Sequence, residues 1–126
     1  MCLKFPCELV IWYLLPSVRS ELAKELIRLG LSQKEAAKRL GISEAAISHY
    51  TKGKRGKKID LDKETRNDIK RLANEMASSP DETNSILKTC EICIKVRKAE
   101  ILCKLHRSLD LIPDTCKACL ELFKEA

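Results

Sequence analysis

The sequence predicts an all-α fold, and two observations carry that expectation. Residues 31–56, LSQKEAAKRLGISEAAISHYTKGKRG, read as two short helices joined by a glycine turn. Aromatic residues make up only 4% of the chain, which leaves Leu, Ile and Ala on helix faces as the core material. A chain of 126 residues allows one domain, or one small domain with an appendage. The expected architecture is a five-helix-type helix-turn-helix domain over residues 1–79, followed by a cysteine-rich helical hairpin over residues 80–126.

In chain order, residues 6–15 (PCELVIWYLL) are apolar nearly all round, so a helix there would be buried rather than amphipathic. Pro16 is expected to kink or restart it. The surplus apolar surface around Val10, Ile11, Tyr13 and Leu14 suggests a homodimer interface, with burial against the C-terminal part as the alternative. Cys7 reads as a core residue and Cys2 as terminus. After Ser17, Val18, Leu22, Leu26 and Leu29 form one helical stripe, and Gly30 is the stop. Ser32, with Glu35 three residues on, makes a capping box for the next helix. Ala36, Ala37 and Leu40 are its buried stripe, and Gly41 ends it. Ser43 caps a second short helix whose inward positions are Ala46, Ile47 and Tyr50, with Gly53 as its end. Small residues matter here because two helices crossing steeply need close backbone approach.

The outward positions suggest what the pair of helices contacts. Gln33 and Lys34 open the first helix, where free backbone N–H groups favour a phosphate. Ser43, Glu44, Ala45, Ser48 and His49 lie at the start of the second helix, the end that enters a major groove in this geometry. Lys52, Lys54 and Arg55 follow. From residue 32 to 58 there are eight Lys/Arg and two Glu, a net +6. The remainder of the chain is balanced, with 8 basic and 8 acidic residues in 80–126. An anionic partner is therefore expected at the basic half, with double-stranded DNA foremost and a membrane surface a distant second.

The pattern L-S-Q-x-E-x-A-x-x-L-G-I-S-x-x-x-I-S-x-Y-x-x-G-x-R resembles the DNA-binding helices of lambda-repressor/Cro-like (XRE-type) transcription regulators. The resemblance spans roughly residues 18–76 and is specific over the central twenty-odd. The start, KFPCELVIWYLLPSVRS, is similar to the opening of archaeal regulators of this type, including the N-terminal domains of archaeal thiamine-biosynthesis repressors. Those repressors carry a large ligand-binding domain with no counterpart here, so their effector does not carry over. The resemblance implies sequence-specific DNA binding and an archaeal subgroup with a cysteine-rich C-terminal extension.

Residues 57–61 continue a basic loop, and GKK at 56–58 lacks the glycine spacing and the Ser/Thr of a phosphate-binding loop. A helix returns over residues 62–77, with Ile69, Leu72, Ala73 and Met76 inward. Ser79, Pro80 and Glu82 then form a helix start. That helix could run to about residue 109, and a short last helix is expected over residues 115–124.

The chain has seven cysteines. The apolar run at 9–15 is too short for a membrane span and lacks a secretory pattern, so a cytoplasmic location is expected and a disulfide framework is not. Three pairs share one spacing: Cys90-x2-Cys93, Cys103-x2-His106 and Cys116-x2-Cys119. A three-residue step places both side chains of each pair on one helix face. Cys90, Cys93, Cys116 and Cys119, with Cys103 available as a fifth thiol, suit an iron–sulfur cluster or zinc. The helix-forming, glycine-free surroundings favour the cluster. His106 could complete a Cys3His site or lie at the surface. A Cys90–Cys93 dithiol switch is a third reading. No nucleophile–base set, paired-carboxylate arrangement or cofactor glycine fingerprint occurs, so no enzyme is expected. The competing class is a metal-stabilised adaptor whose basic half binds RNA or a protein partner.

Overall fold

The structure is a computed structural model that describes residues 6–52, 61–79, 81–98 and 101–109. Among these residues every regular element is a helix: α1 (Pro6–Leu9), a π-helical turn (Val10–Leu14), α2 (Leu15–Arg28), α3 (Gln33–Leu40), α4 (Glu44–Thr51), α5 (Lys63–Ser78), α6 (Glu82–Lys98) and α7 (Ile101–Leu109). The expected last helix and the basic loop at 53–60 lie outside the described residues. So does Gly53; α4 is helical to Thr51, and Lys52 follows as its cap.

The helix changes form just ahead of Pro16, as expected: the π turn ends at Leu14, and α2 begins at Leu15 with the proline in its first turn. Proline lacks an N–H, and its ring crowds the carbonyl four residues back. The π turn relieves this by widening the ladder: the Leu15 N–H donates to the Val10 carbonyl, five residues away, and the Ser17 hydroxyl donates to the Tyr13 carbonyl at 2.7 Å. Leu9 and Leu14 are thereby both fully buried in the core, together with Val18, Leu22 and Leu26 of α2. Leu14 thus belongs to the interior of this chain rather than to a surface another copy can reach. Ile11 and Trp12 face the other way and remain 62% and 54% exposed.

α2 is the central helix, packed on α3, α4 and α5. Gly30, at φ 100°, lets the chain leave it: the Gly30 N–H donates to the Ile27 carbonyl (3.0 Å) and the Leu31 N–H to the Leu26 carbonyl (3.1 Å). At the other end of the domain Leu61 is buried, and Asp62 caps α5 by accepting the Thr65 N–H at 2.9 Å. Leu61 is an anchor that the surrounding basic sequence obscures. Arg39 reaches from α3 to the C-terminal end of α5, where its Nη1 donates to the Met76 carbonyl at 2.9 Å. That satisfies one of the carbonyls a helix end leaves open.

The chain passes from α5 to α6 with a different cap from the one expected. Ser79 ends α5, its N–H bonded to the Glu75 carbonyl. Asp81, not Ser79, caps α6, accepting the Asn84 N–H at 3.2 Å. Asp81 directly precedes the first helical residue, and its carboxylate is a strong acceptor for the orphan amides there, while Ser79 is held as the last cap of α5 by its own N–H. Ile92 and Val96 of α6 bury into the same core as α1–α5. Lys95 fixes the register by pairing with Glu64 at 2.7 Å and Asp68 at 2.9 Å on α5. The bond to Glu64, then that to Asp68, holds its ammonium above the usual lysine value. This cluster lies in water, so it orients α6 more than it stabilises it. α7 packs on α6 and on α1.

Hydrogen bonds with Thr65 hold the Asp62 carboxyl below the usual aspartate range. A depressed carboxyl stabilises the fold above its unfolded pKa and ceases to do so as the pH falls through its folded value. Asp62→Ala should therefore cost about 1 kcal/mol at neutral pH. In denaturant titrations the gap from the unaltered chain should close as the pH falls below the free-aspartate value. An equal gap at all pH values would contradict the assignment.

Candidate nucleic-acid interface

The interface is built from α3, α4 and the turn between them. Ser32 begins α3 with extended backbone, and its hydroxyl accepts the Glu35 N–H at 3.1 Å. Ser43 repeats the device for α4, accepting the Ala46 N–H at 3.1 Å. Between them Gly41 adopts φ 66°, ψ 33°, a left-handed conformation that a Cβ would strain. Its N–H donates to the Lys38 carbonyl at 3.4 Å, and the Ile42 N–H donates to the Ala37 carbonyl at 3.0 Å. These two bonds close α3 and reverse the chain within three residues. Ile42 then packs against the core.

Ala36, Ala37, Ala46, Ile47 and Tyr50 are buried as expected, while Leu40 is only half-buried against the core. With α4 held on α2 and α3, its other face is turned outward. Glu44 and Ala45 are exposed there, while Ser48 and His49 are half-buried one turn on. Ser43, Gln33, Lys34 and Lys52 are exposed as well. Thr51 folds its hydroxyl back onto the Ile47 and Ser48 carbonyls, at 3.0 and 3.2 Å, closing the C-terminal end of α4. Two short helices therefore present one continuous outer surface with a lysine at either end. Lys54 and Arg55 lie outside the described residues.

A capped pair of short helices at a glycine turn, with the second helix exposed along one side, defines a helix-turn-helix domain. Residues 22–61 match the family described as Helix-turn-helix. The match covers 40 of the 126 residues and supports an XRE-like helix-turn-helix segment, the kind found in DNA-binding transcription regulators. No curated protein and no solved structure matches the chain. Among the described residues no helix is long and apolar enough to cross a membrane.

The cysteines lie beyond the matched segment. Cys90 is exposed and Cys93 half-buried on α6, and Cys103 is half-buried on α7. His106 is half-buried on α7. Cys116 and Cys119 lie outside the described residues, and nothing is described of the Cys7 side chain. Among the described residues no three His, Cys, Asp or Glu side chains converge in a metal-holding group. Cys90 and Cys93 sense each other across one helical turn. Burial, and secondarily the Cys90 charge, push the Cys93 thiol up to about 11, against weaker opposing pulls from Arg19 and Arg97. Burial thus keeps Cys93 in its neutral thiol form at neutral pH, where it is a weak nucleophile.

Proposed function

We propose that the protein is a sequence-specific transcription regulator that binds duplex DNA through α3 and α4 as a homodimer and carries a cysteine-ligated metal centre. The observation that carries the DNA reading is the doubly capped α3–α4 pair, whose outer face is free and flanked by Lys34 and Lys52. In this reading α4 enters the major groove, N-terminal end first. Glu44 accepts a hydrogen bond from a cytosine amino group, Ala45 meets a thymine methyl, and Ser48 and His49 offer hydrogen bonds to base edges. Gln33, Lys34, Ser43 and Lys52 hold phosphates, with Lys54 and Arg55 extending that contact along the backbone.

Lys34→Ala and Lys52→Ala should weaken binding to all duplexes alike and lower the salt slope by about one each. Ser48→Ala and His49→Ala should instead change which selected duplex is preferred, by about 1–3 kcal/mol at the affected base pair. Fluorescence anisotropy over a salt series, on selected and scrambled duplexes, reads both. Equal effects of the two sets on preference would overturn the groove assignment.

The dimer reading rests on Ile11 and Trp12, large apolar side chains left more than half exposed on a helix whose other face is buried. Two such helices packed across a two-fold axis would set half-sites about one helical turn, 34–36 Å, apart. Light scattering at micromolar concentration should give a two-chain mass, and Ile11→Ser with Trp12→Ser should give one chain. A monomeric unaltered protein would overturn this part.

The metal reading rests on the recurrence of Cys-x2-Cys at Cys90/Cys93 and Cys116/Cys119, with Cys103 a further thiol. An iron–sulfur cluster is preferred to zinc because the pairs lie in helix-forming sequence without the glycine turns of zinc knuckles. When bound, a cluster would supply an oxidisable centre, and zinc would supply a structural link. Protein purified without oxygen should carry iron and sulfide, which Cys90→Ser and Cys116→Ser should abolish. Colourless, zinc-loaded protein would eliminate the cluster, and metal-free folded protein would eliminate both.

A further inference from the structure

Behind the DNA-facing helices, between α2, α3, α5 and α6, lies a cavity of about 400 Å³. That volume falls in the range of small-ligand sites. Its body is apolar, with Leu22 of α2, Leu40 of α3, Met76 of α5 and Ile86 of α6 among the lining side chains. Ile86 is 64% exposed at its mouth, an apolar surface that nothing among the described residues covers.

The charges around it have one sign. Arg19, Lys38 and Arg39 line the cavity, and no carboxylate among the described residues does. Arg39 is committed, through its bond to the Met76 carbonyl and its contact with Glu35 at 3.8 Å. Arg19 and Lys38 take part in no ion pair among the described residues, whereas Arg39 does. Two uncommitted cations beside an apolar hollow complement a molecule with an anionic head and an apolar body.

We infer that this cavity binds a small amphipathic carboxylate, its head at Arg19 and Lys38 and its body over Leu15, Leu40 and Ile86. Such a ligand would bridge the end of α3, at the turn that sets the angle of α4, to α6. It would therefore favour one placement of α6 against the DNA-binding helices. The consequence for DNA rests on the reading above; the binding itself does not.

Calorimetric titration of the full chain with octanoate tests it, with octanol as the uncharged control of equal chain length. Octanoate should bind saturably at one site per chain, and octanol about tenfold more weakly, the loss of one charge-assisted pairing. Lys38→Gln, an exposed change that leaves the core untouched, should weaken octanoate by about fivefold, and so should Arg19→Gln. Lys63→Gln, on the outer surface of α5, should not. No saturable binding, equal binding of octanol, or indifference to both substitutions would overturn the inference. So would an Ile86→Gln change that converts a dimer to a monomer in a protein that ignores octanoate, since the groove would then be a self-association face. Duplex affinity measured without octanoate separates the two readings. A chain that binds a selected duplex but not octanoate overturns only this inference. One that binds octanoate but no duplex overturns only the DNA reading.

Discussion

The close packing of α3 and α4 on α2 is the constraint on which the rest of the structure depends. Each of the two outer helices has only eight residues, too few for a stable helix in water on its own. Their shape is therefore borrowed from the core, through Ala36, Ala37, Ala46, Ile47 and Tyr50. Alanine at three of these positions lets the backbones approach, and a larger side chain would push α4 outward and change the angle at which it is presented. The two serine caps and the left-handed Gly41 serve the same end, because they satisfy the orphan amides and carbonyls of short helices without adding bulk. A surface that must fit a groove is thus defined by what lies beneath it.

The N-terminal helix shows how a single proline redistributes burial. In a regular α-helix Leu9 and Leu14, five residues apart, would point about 140° away from each other. In the π turn a five-residue step returns to nearly the same side, so both enter the core and Ile11 and Trp12 are turned out. The turn that accommodates Pro16 is therefore also what creates the exposed apolar pair. Its two consequences, a better-filled monomer and an unpartnered surface, have one cause.

α6 joins the bundle by a different balance of forces. Ile92 and Val96 supply the apolar contact, while Lys95, shared by Glu64 and Asp68, supplies the register. The same packing half-buries Cys93 beside Arg19 and leaves Cys90 in water, so two thiols of one motif occupy unlike environments. The helix that carries the first cysteine pair is in contact with the helix that closes the DNA-binding domain. The Arg39–Met76 bond in turn ties α5 to α3.

The sequence by itself determined the helix-turn-helix: Ser32, Gly41 and Ser43 act through bonds to residues within a few positions, and the inward stripes follow from helical period alone. Such signals are local, so they survive without tertiary context. The burial of Leu61 beside a run of lysines, the cap at Asp81 instead of Ser79, and the π turn ahead of Pro16 were decided only by the tertiary structure. Each turns on a competition between neighbours that composition cannot weigh: which residue reaches the core, which acceptor adjoins the first turn, and which ladder has room for a ring. The outward residues of α4 were legible because they are what remains when the inward stripe is removed. The cavity bordered by Arg19 and Lys38 was not, because its walls come from four helices and residues up to 90 in the chain. No period or spacing in one segment reports a space that four segments enclose.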